Sequence, residues 1–304
     1  MFSIHSVDQQ RAEAVEWLGT KRKFWFLDNQ RRWLFKAEER GTGDDWAEKI
    51  ACHLCELLRM PHVHYELAEL TDGNIPGVIC ETCSPAPLSL VLGNQLLLRR
   101  DPDYPADIGR KYKVREHTVQ AAVDAVRELE PPSDERMSGT DQGIQTALDV
   151  FVGYVMLDAW IANQDRHHEN WAALRDDDLR LAPTFDHGAG LARILSDEER
   201  KERLTTKDRN RTVEFFAAKA KSAFYNHTTD SQPLGTVEAF SAFAGFAPKA
   251  ARLWLNRLAK IQPEMVQTIL DEVPNKRMTK ITKEFTAKLL QINQERLLQE
   301  KVVG

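Results

Sequence analysis

Three side chains with acceptor oxygens stand near the middle of the chain, at a spacing that suits metal-dependent phosphoryl transfer. Asp165 precedes Asn170 by five positions, and Asp186 follows sixteen positions later in an Asp-x-Gly sequence. An amide oxygen and a carboxylate are ligands that Mg²⁺ accepts while it keeps positions for phosphate oxygens. Asp165 could then orient or deprotonate an attacking hydroxyl. Such residues are also common in ordinary polar loops, so the interpretation depends on the elements that position them.

A β-hairpin is predicted between Asn170 and Asp186. Residues 171–174 and 179–182 have the composition of short strands, and residues 175–178 form a polar turn. Paired strands lie about 4.8 Å apart, so the hairpin would return Asp186 to Asn170. Apolar residues recur at helical spacing over 144–161, which predicts a buried helix that delivers the loop before the hairpin.

Composition sets the broad class. The chain has 304 residues, of which 42% are hydrophobic and 29% charged, so it can form two lobes with their own cores. A net charge of −5 argues against nucleic acid as a direct partner. The sequence lacks an apolar run of membrane-spanning length and the layout of a signal peptide, so we expect a cytoplasmic protein without a membrane partner.

The first lobe contains a lysine and a glutamate at informative places. A β-hairpin is predicted over 24–36, and Lys36 ends its second strand. A helix is predicted over 45–59, and it carries Glu48. A strand lysine paired with a helix glutamate holds nucleotide phosphates in protein kinases, although a lysine at a strand end often only reaches for water. The basic turn 19–23 before the hairpin can equally lie over phosphates or be an ordinary solvated turn.

The four cysteines form two C-x-x-C pairs, Cys52 with Cys55 and Cys80 with Cys83. As a pattern, these pairs allow a zinc site. The first pair falls inside the predicted helix, where Cys52 points roughly opposite Leu54 and Cys55 lies at the edge of the apolar stripe. Neither pair lies in the glycine-rich or polar turn that usually presents thiolates to zinc. We therefore expect free reduced thiols, with zinc binding by the two pairs as the alternative.

The other elements follow from periodicity and from glycine and proline positions. Strands are predicted over 62–70 and 75–81, followed by a connector at 81–85. Helices are predicted at 6–18, 88–98, 117–129, 215–224, 239–246, 248–261, 263–273 and 282–298. The charged stretch 196–208 favours a solvated helix over a substrate-facing loop. The pattern therefore predicts a mixed α/β first lobe and a helical second lobe.

The order of these motifs resembles the HipA-like kinases, which are bacterial serine/threonine kinases and include toxins of toxin–antitoxin systems. The resemblance rests on Trp33-Leu34-Phe35-Lys36, on Trp46-Ala47-Glu48-Lys49, on Asn163-x-Asp165-Arg166-His167-x-x-Asn170 and on Phe185-Asp186-His187-Gly188. The last two motifs are also similar to those of phosphatidylinositol kinases, to which the HipA fold is distantly related. The resemblance covers about residues 19–300.

The resemblance implies an α+β, two-lobed protein-kinase-like fold, with an N-terminal nucleotide-binding lobe at 1–85 and a helical C-terminal catalytic lobe at 86–304. It implies ATP and Mg²⁺ as cofactors, with Asn170 and Asp186 as metal ligands and Asp165 as the catalytic aspartate. His167 would share the proton-accepting role. The nucleotide would contact Lys36 with its partner Glu48, the covering loop at Gly19, Thr20 and Lys21, and the connector at Glu81, Thr82 and Cys83.

Two neighbours of Asp165 have structural interpretations. We expect Arg166 to fix the loop through hydrogen bonds, and His168 to be a solvated bystander. In several relatives the covering loop contains a serine whose autophosphorylation switches the kinase off, whereas the hydroxyl here is that of Thr20. Longer relatives also carry an N-terminal domain that docks an antitoxin, and this chain begins close to the kinase core.

The implied activity is transfer of the ATP γ-phosphate to a serine or threonine of a protein, including the option of a toxin that acts on a translation-related enzyme. The implied partners are this protein substrate and an antitoxin or other regulatory protein. Two alternatives stay open at this point. One is a lipid or small-molecule kinase with the same site. The other, from a different class, is a catalytically silent nucleotide-binding interaction module. The presence of Lys36, Asp165, Asn170 and Asp186 counts against this alternative.

Overall fold

Strands dominate the first third of the chain, and helices dominate the rest. The computed structural model describes residues 1–15, 22–38, 40–85, 87–107, 113–133 and 143–300. The strands are β1 (Ile4–Val7), β2 (Ala12–Val15), β3 (Lys23–Asp28), β4 (Arg31–Ala37), β5 (Tyr65–Leu70), β6 (Pro76–Glu81), β7 (Ser89–Leu92), β8 (Ala172–Arg175) and β9 (Leu179–Leu181). The helices are α1 (Asp44–Leu58), α2 (Gly93–Arg100), α3 (Val119–Val126), α4 (Ala147–Trp160), α5 (Asp197–Thr205), α6 (Val213–Ala218), α7 (Thr236–Ala244), α8 (Pro248–Leu258), α9 (Pro263–Glu272) and α10 (Lys280–Gln299).

A six-stranded sheet forms the N-terminal part, in the order β1-β5-β6-β4-β3-β2. β1 is parallel to β5, and the other neighbours are antiparallel. Alternation along β4 buries Phe35 in one apolar cluster and Leu34 in another. The second cluster also contains Cys52 of α1, so this helix covers one face of the sheet.

α1 also fastens the sheet to the helical part. The guanidinium of Arg277 donates to the carboxylate of Asp45 at 2.9 Å and to the carbonyl of Ala68 at 2.7 Å. Arg257 donates to the carbonyl of Leu58, at the end of the helix, at 3.0 Å. Both ends of α1 are therefore held by residues of the C-terminal part, Arg257 in α8 and Arg277 in the turn between α9 and α10.

α4 lies at the centre of the helical part. It begins at a capping box formed by Thr146 and Asp149, and its residues from Ala147 to Trp160 are buried with the exception of Asp149. It packs against α7, α8 and α10, and a side chain on Gly153 would overlap the indole of Trp254. This helix is therefore the rigid buried support predicted for the loop that follows it. None of the helices in the described residues is long and apolar enough to cross a membrane.

The fold confirms the mixed α/β character of the first part and the helical character of the second. The hairpins predicted over 24–36 and 171–182 are present as β3–β4 and β8–β9. The predicted helix at 6–18 is wrong within the described residues, because β1 pairs with β5 and β2 pairs with β3 there; residues 16–18 lie outside the description. The helix predicted at 88–98 starts only at Gly93, because β7 pairs with β8.

Candidate active site

Lys36 lies at the centre of a polar cluster to which four separate elements contribute. Its Nζ atom is 3.0 Å from Oδ1 of Asp186, 3.4 Å from Oε1 of Glu48 and 3.3 Å from the hydroxyl of Tyr65. Lys36 belongs to β4, Glu48 to α1 and Tyr65 to β5, whereas Asp186 follows β9. The structure thus brings together three of the residues that the sequence selected, across 150 positions of chain.

The cluster carries one ammonium group against two carboxylates. Burial raises the pKa of Glu48 to about 7, with the nearby Asp186 acting in the same direction and Lys36 opposing both. Burial alone would lower the pKa of Lys36, but Asp186, Tyr65 and Glu48 outweigh it and raise this pKa well above its ordinary value. The site therefore has a surplus of negative charge, which a divalent cation would offset.

The Asp-x-Gly loop is held in place by backbone and side-chain contacts. Asp186 adopts a left-handed conformation with φ of 60°, which is strained for a residue other than glycine. Its N–H donates to the Tyr65 hydroxyl at 3.3 Å, and the N–H of His187 donates to Glu48 at 2.8 Å. Nε2 of His187 is 2.8 Å from the Thr184 hydroxyl. Burial lowers the pKa of His187 well below its usual value, so its imidazole is neutral.

A buried network shapes the loop around Asp165. Arg166 is 1% exposed and donates two hydrogen bonds to Asp158, at 2.7 and 2.8 Å. A third bond runs from Arg166 to the carbonyl of Asn170 at 2.9 Å. The amide of Asn170 donates to the carbonyl of Asp165 at 2.6 Å, and the Asp165 N–H donates to Asn163 at 3.1 Å. The bonds from Arg166 to Asp158 and Asn170 fix the loop, as expected.

The donor set on this loop fits a magnesium ion. Since the amide nitrogen of Asn170 bonds to Asp165, the amide oxygen is the atom of Asn170 that could ligate a metal. The Asp186 carboxylate has 36% of its side chain exposed. Both oxygens are hard ligands of the kind that Mg²⁺ prefers. Asn170 itself is only 5% exposed, because its amide nitrogen is used to close the loop.

The two histidines beside Asp165 differ in role. Nδ1 of His167 accepts from the N–H of Glu169 at 3.1 Å, so Nε2 carries the proton of the neutral ring. This Nε2 lies 3.7 Å from Oδ1 of Asp165, an arrangement that favours support of the aspartate over proton acceptance. His168 is not the expected solvated bystander: it is 1% exposed, and its Nδ1 lies 2.8 Å from the Tyr104 hydroxyl.

The structure describes some of the predicted nucleotide-binding residues and leaves others outside the described part of the chain. Gly19, Thr20 and Lys21 lie outside the described residues, but the strand that follows them starts at Lys23, which pairs with Lys36 in the β3–β4 ladder. In the connector, Glu81 ends β6 and pairs with Trp33 of β4, and Cys83 packs at the edge of the apolar cluster under α1. The N–H of Thr82 already donates to the carbonyl of Arg32 at 3.1 Å, so this group is not offered to an adenine edge.

Two functional residues were missed by the sequence reasoning. Tyr65 contacts both Lys36 and Asp186, yet it reads only as an aromatic residue that starts a strand. Asp158 had a usable signal. It is a buried carboxylate in the last turn of the largely apolar helix α4, eight positions before Arg166. A buried charge needs a partner, and Arg166 is the nearest cation that follows it in the sequence.

Solved structures resemble the fold of this protein over almost the whole chain. The Helicobacter pylori proinflammatory kinase CtkA aligns with a TM-score of 0.70 and 17% identity, over 97% of this chain and 99% of CtkA. The HipA toxin of Shewanella oneidensis aligns with a TM-score of 0.57 and 11% identity, over 94% of this chain and 65% of HipA. This chain has the fold of the HipA-like kinases. No protein-family model and no curated protein sequence matches it.

The HipA-like fold confirms the architecture that the motif order implied, with a sheet-rich N-terminal part and a helical C-terminal part. At these identities the likeness concerns the fold, and the roles of individual residues rest on the contacts described above.

Proposed function

We propose that this chain is an ATP-dependent kinase that transfers the γ-phosphate of ATP to a serine or threonine hydroxyl of a protein. The observation that carries the proposal is the position of the Lys36 ammonium between Glu48 at 3.4 Å and Asp186 at 3.0 Å. Kinases use a strand lysine, a helix glutamate and a metal-binding aspartate in this combination to hold a nucleotide. The HipA-like fold supports the same conclusion.

In the proposed reaction, Lys36 binds the α- and β-phosphates of ATP and exchanges part of its contact with Asp186 for them. Asn170 and Asp186 would hold Mg²⁺, which supplies positive charge at the β- and γ-phosphate oxygens when bound. Glu48 keeps the lysine side chain directed into the site and also accepts the His187 N–H at 2.8 Å. Alignment and charge stabilisation supply most of the rate enhancement in such a site.

Asp165 is the proposed proton acceptor. As the acceptor hydroxyl attacks the γ-phosphorus, its proton passes to the Asp165 carboxylate. A new bond forms between the hydroxyl oxygen and phosphorus, the bond from phosphorus to the β–γ bridging oxygen breaks, and ADP leaves with that oxygen. Asn163 and Asn170 hold the backbone of Asp165 from both sides. The side chain of Asp165 is 26% exposed, so a substrate hydroxyl can reach it.

Labelling with γ-phosphate-tagged ATP in a cell extract tests the proposal. We expect the wild-type chain to label a small number of proteins on serine or threonine, and Asp165→Ala to abolish the labelling. Asp177→Ala is the matched control, since Asp177 is an exposed aspartate in the β8–β9 turn. Equal labelling by the wild-type chain and Asp165→Ala would refute the role of Asp165.

The same assay separates the alternatives. Label in the lipid or small-molecule fraction, with unlabelled proteins, would replace the protein acceptor with the other substrate class. Nucleotide binding without label in either fraction would identify a silent binding module. The HipA structure contains HipB and operator DNA, and a regulatory protein partner of this chain is proposed only by that analogy; co-purification with the full chain tests it.

A further inference from the structure

A second cluster of chemically competent side chains lies between the second half of α1 and the segment that follows the helix, and it does not include Lys36. It consists of Cys52, Glu56, His62 and His64, each of which offers one potential ligand atom, and these atoms all lie within 4.8 Å of one another. Cys52 and His62 are buried, whereas Glu56 and His64 are more than 40% exposed at the side chain. The cluster is therefore closed on the inside and open to solvent on one side.

The local backbone explains how the four side chains meet. Cys52 and Glu56 are four positions apart, so they share one face of α1. Arg59 then ends the helix in a left-handed conformation with φ of 52°, and the chain reverses there, with the Met60 N–H bonded to the carbonyl of Cys55 at 2.9 Å. The reversal brings His62 and His64 back against the helix face.

We infer that Cys52, Glu56, His62 and His64 bind one Zn²⁺ ion or a first-row divalent ion with the same preferences. Zn²⁺ takes thiolate, imidazole and carboxylate ligands in a tetrahedral arrangement. Ordinary bond lengths in that arrangement place a sulfur and a nitrogen ligand about 3.6 Å apart. Sγ of Cys52 and Nδ1 of His64 are separated by 3.7 Å. Oε1 of Glu56 lies 4.0 Å from Nδ1 of His64 and would be the fourth ligand, while Oε2 lies 2.8 Å from Nδ1 of His53.

Each imidazole is already oriented by its other nitrogen. Nδ1 of His62 lies 2.7 Å from the carbonyl of Met60, which directs Nε2 to the cluster. Nε2 of His64 lies 2.6 Å from the Glu66 carboxylate, which directs Nδ1 to the cluster. Metal-binding histidines usually have such a carbonyl or carboxylate partner on the opposite nitrogen. This orientation is a second observation that points to a metal, independent of the ligand distances.

The charges also match. A Cys52 thiolate and a Glu56 carboxylate contribute two negative charges, and two neutral imidazoles contribute none, so a divalent ion would be neutralised. The metal-free alternative is a thiolate–imidazolium pair, in which Sγ of Cys52 lies 3.7 Å from Nδ1 of His64. Burial raises the pKa of Cys52, but hydrogen bonds with His62 and His64 outweigh it and lower this pKa to about 6. That ion pair is the competing description, and it predicts no metal uptake.

The structure argues against the alternative of a zinc site formed by the two C-x-x-C pairs. The two C-x-x-C pairs do not form a joint site, because Cys55 faces the main core while Cys80 lies in the apolar cluster under α1. None of the four cysteines forms a disulfide. Only Cys52 among them joins the histidines, and the relevant spacing is a helical C-x-x-x-E followed by H-x-H.

Cobalt binding to the purified full-length chain tests this site without reference to kinase activity. After treatment with a chelator, we expect one equivalent of Co²⁺ to give the visible absorption of a tetrahedral ion and a thiolate-to-cobalt charge-transfer band, and Zn²⁺ to displace it. Cys52→Ser should abolish the charge-transfer band. His64→Gln, at the exposed edge, should weaken binding by about tenfold or more, and Glu66→Gln should do so through orientation.

Cys83→Ser is the matched control, because it changes a cysteine outside the cluster and should leave the cobalt spectrum intact. Circular dichroism of each variant shows whether it is folded, and His64→Gln still tests the site if Cys52→Ser fails to fold. The inference is overturned if Co²⁺ stays octahedral and chelator-treated protein binds no tetrahedral ion. It is also overturned if Cys52→Ser and His64→Gln both leave the spectrum unchanged.

Discussion

Replacement of Lys36 by methionine should make the stability of the protein depend more steeply on pH. Methionine keeps most of the apolar contacts of the lysine stem and removes the ammonium. Two carboxylates, Glu48 and Asp186, then face each other without a cation, and removal of one partner of a buried pair typically costs about 3–5 kcal/mol. The protein can reduce this cost by protonating Glu48.

The sign follows from the pKa of Glu48. Its ordinary value is 4.5 and its value in the fold is about 7, so stability that is fully present below about pH 4.5 is lost as the pH rises through 7. Lys36 lowers the pKa of Glu48, and its removal raises that pKa further. Each additional unit costs about 1.4 kcal/mol at high pH. The difference in the free energy of unfolding between wild type and Lys36→Met should therefore grow by roughly 2 kcal/mol from pH 6 to pH 9 if the pKa of Glu48 rises by about two units.

Urea unfolding of both proteins at several pH values measures this difference. The variants Glu48→Gln and Lys36→Met/Glu48→Gln serve as the control pair. Neither has a titrating carboxyl at position 48, so the difference in their free energies of unfolding should be flat with pH. If the difference in the free energy of unfolding between wild type and Lys36→Met is the same at pH 6 and pH 9, Glu48 does not become protonated to compensate for the lost ammonium. In either case Lys36→Met should lower phosphoryl transfer by about a hundredfold or more, because a preorganised cation is lost.

Two further changes test the supports of the site. Asp158→Ala leaves the buried guanidinium of Arg166 without its carboxylate and should lower the free energy of unfolding by about 3–5 kcal/mol. Glu202, whose half-exposed side chain pairs with Arg211, is the control, and Glu202→Ala should cost less than about 1 kcal/mol. Equal effects of the two changes in urea unfolding would contradict the network. Gly188→Ala places a Cβ 3.3 Å from α1 and should lower kcat by about three- to tenfold through displacement of the helix. Gly245→Ala has ordinary contacts and should leave kcat unchanged, so a similar kcat in both glycine variants would count against the displacement.

Sequence patterns predicted the parts of the fold that depend on local periodicity. The hairpins around Lys36 and between Asn170 and Asp186 were found because alternation and turn composition are local properties. β1 and β2 were misassigned as a helix because weakly apolar residues at 6–15 fit a helical spacing, and only pairing with distant strands decides their conformation. Tertiary contacts override local propensity in such segments.

The candidate site was predictable in its residues and not in its contacts. The types and order of Lys36, Glu48 and Asp186 indicated a phosphate site, whereas the position of Tyr65 between two of them depends on the sheet register. The burial of His168 depends on Tyr104, a residue in a loop without periodicity. Side chains that act through distant partners leave little trace in one sequence, because the pairing partner lies at an arbitrary separation.

α1 links the active site to the inferred metal cluster. Glu48 accepts the His187 N–H, and Cys52, one turn later, faces His62. His62 forms a parallel β-bridge with Thr184, and the carbonyl of Thr184 accepts the N–H of Val63 at 3.0 Å. The helix therefore contacts the segment around Asp186 twice, directly through its glutamate and indirectly through the histidine segment. A displacement of α1 would have to break both connections, so metal at the cluster should hold the glutamate in the position that the lysine requires.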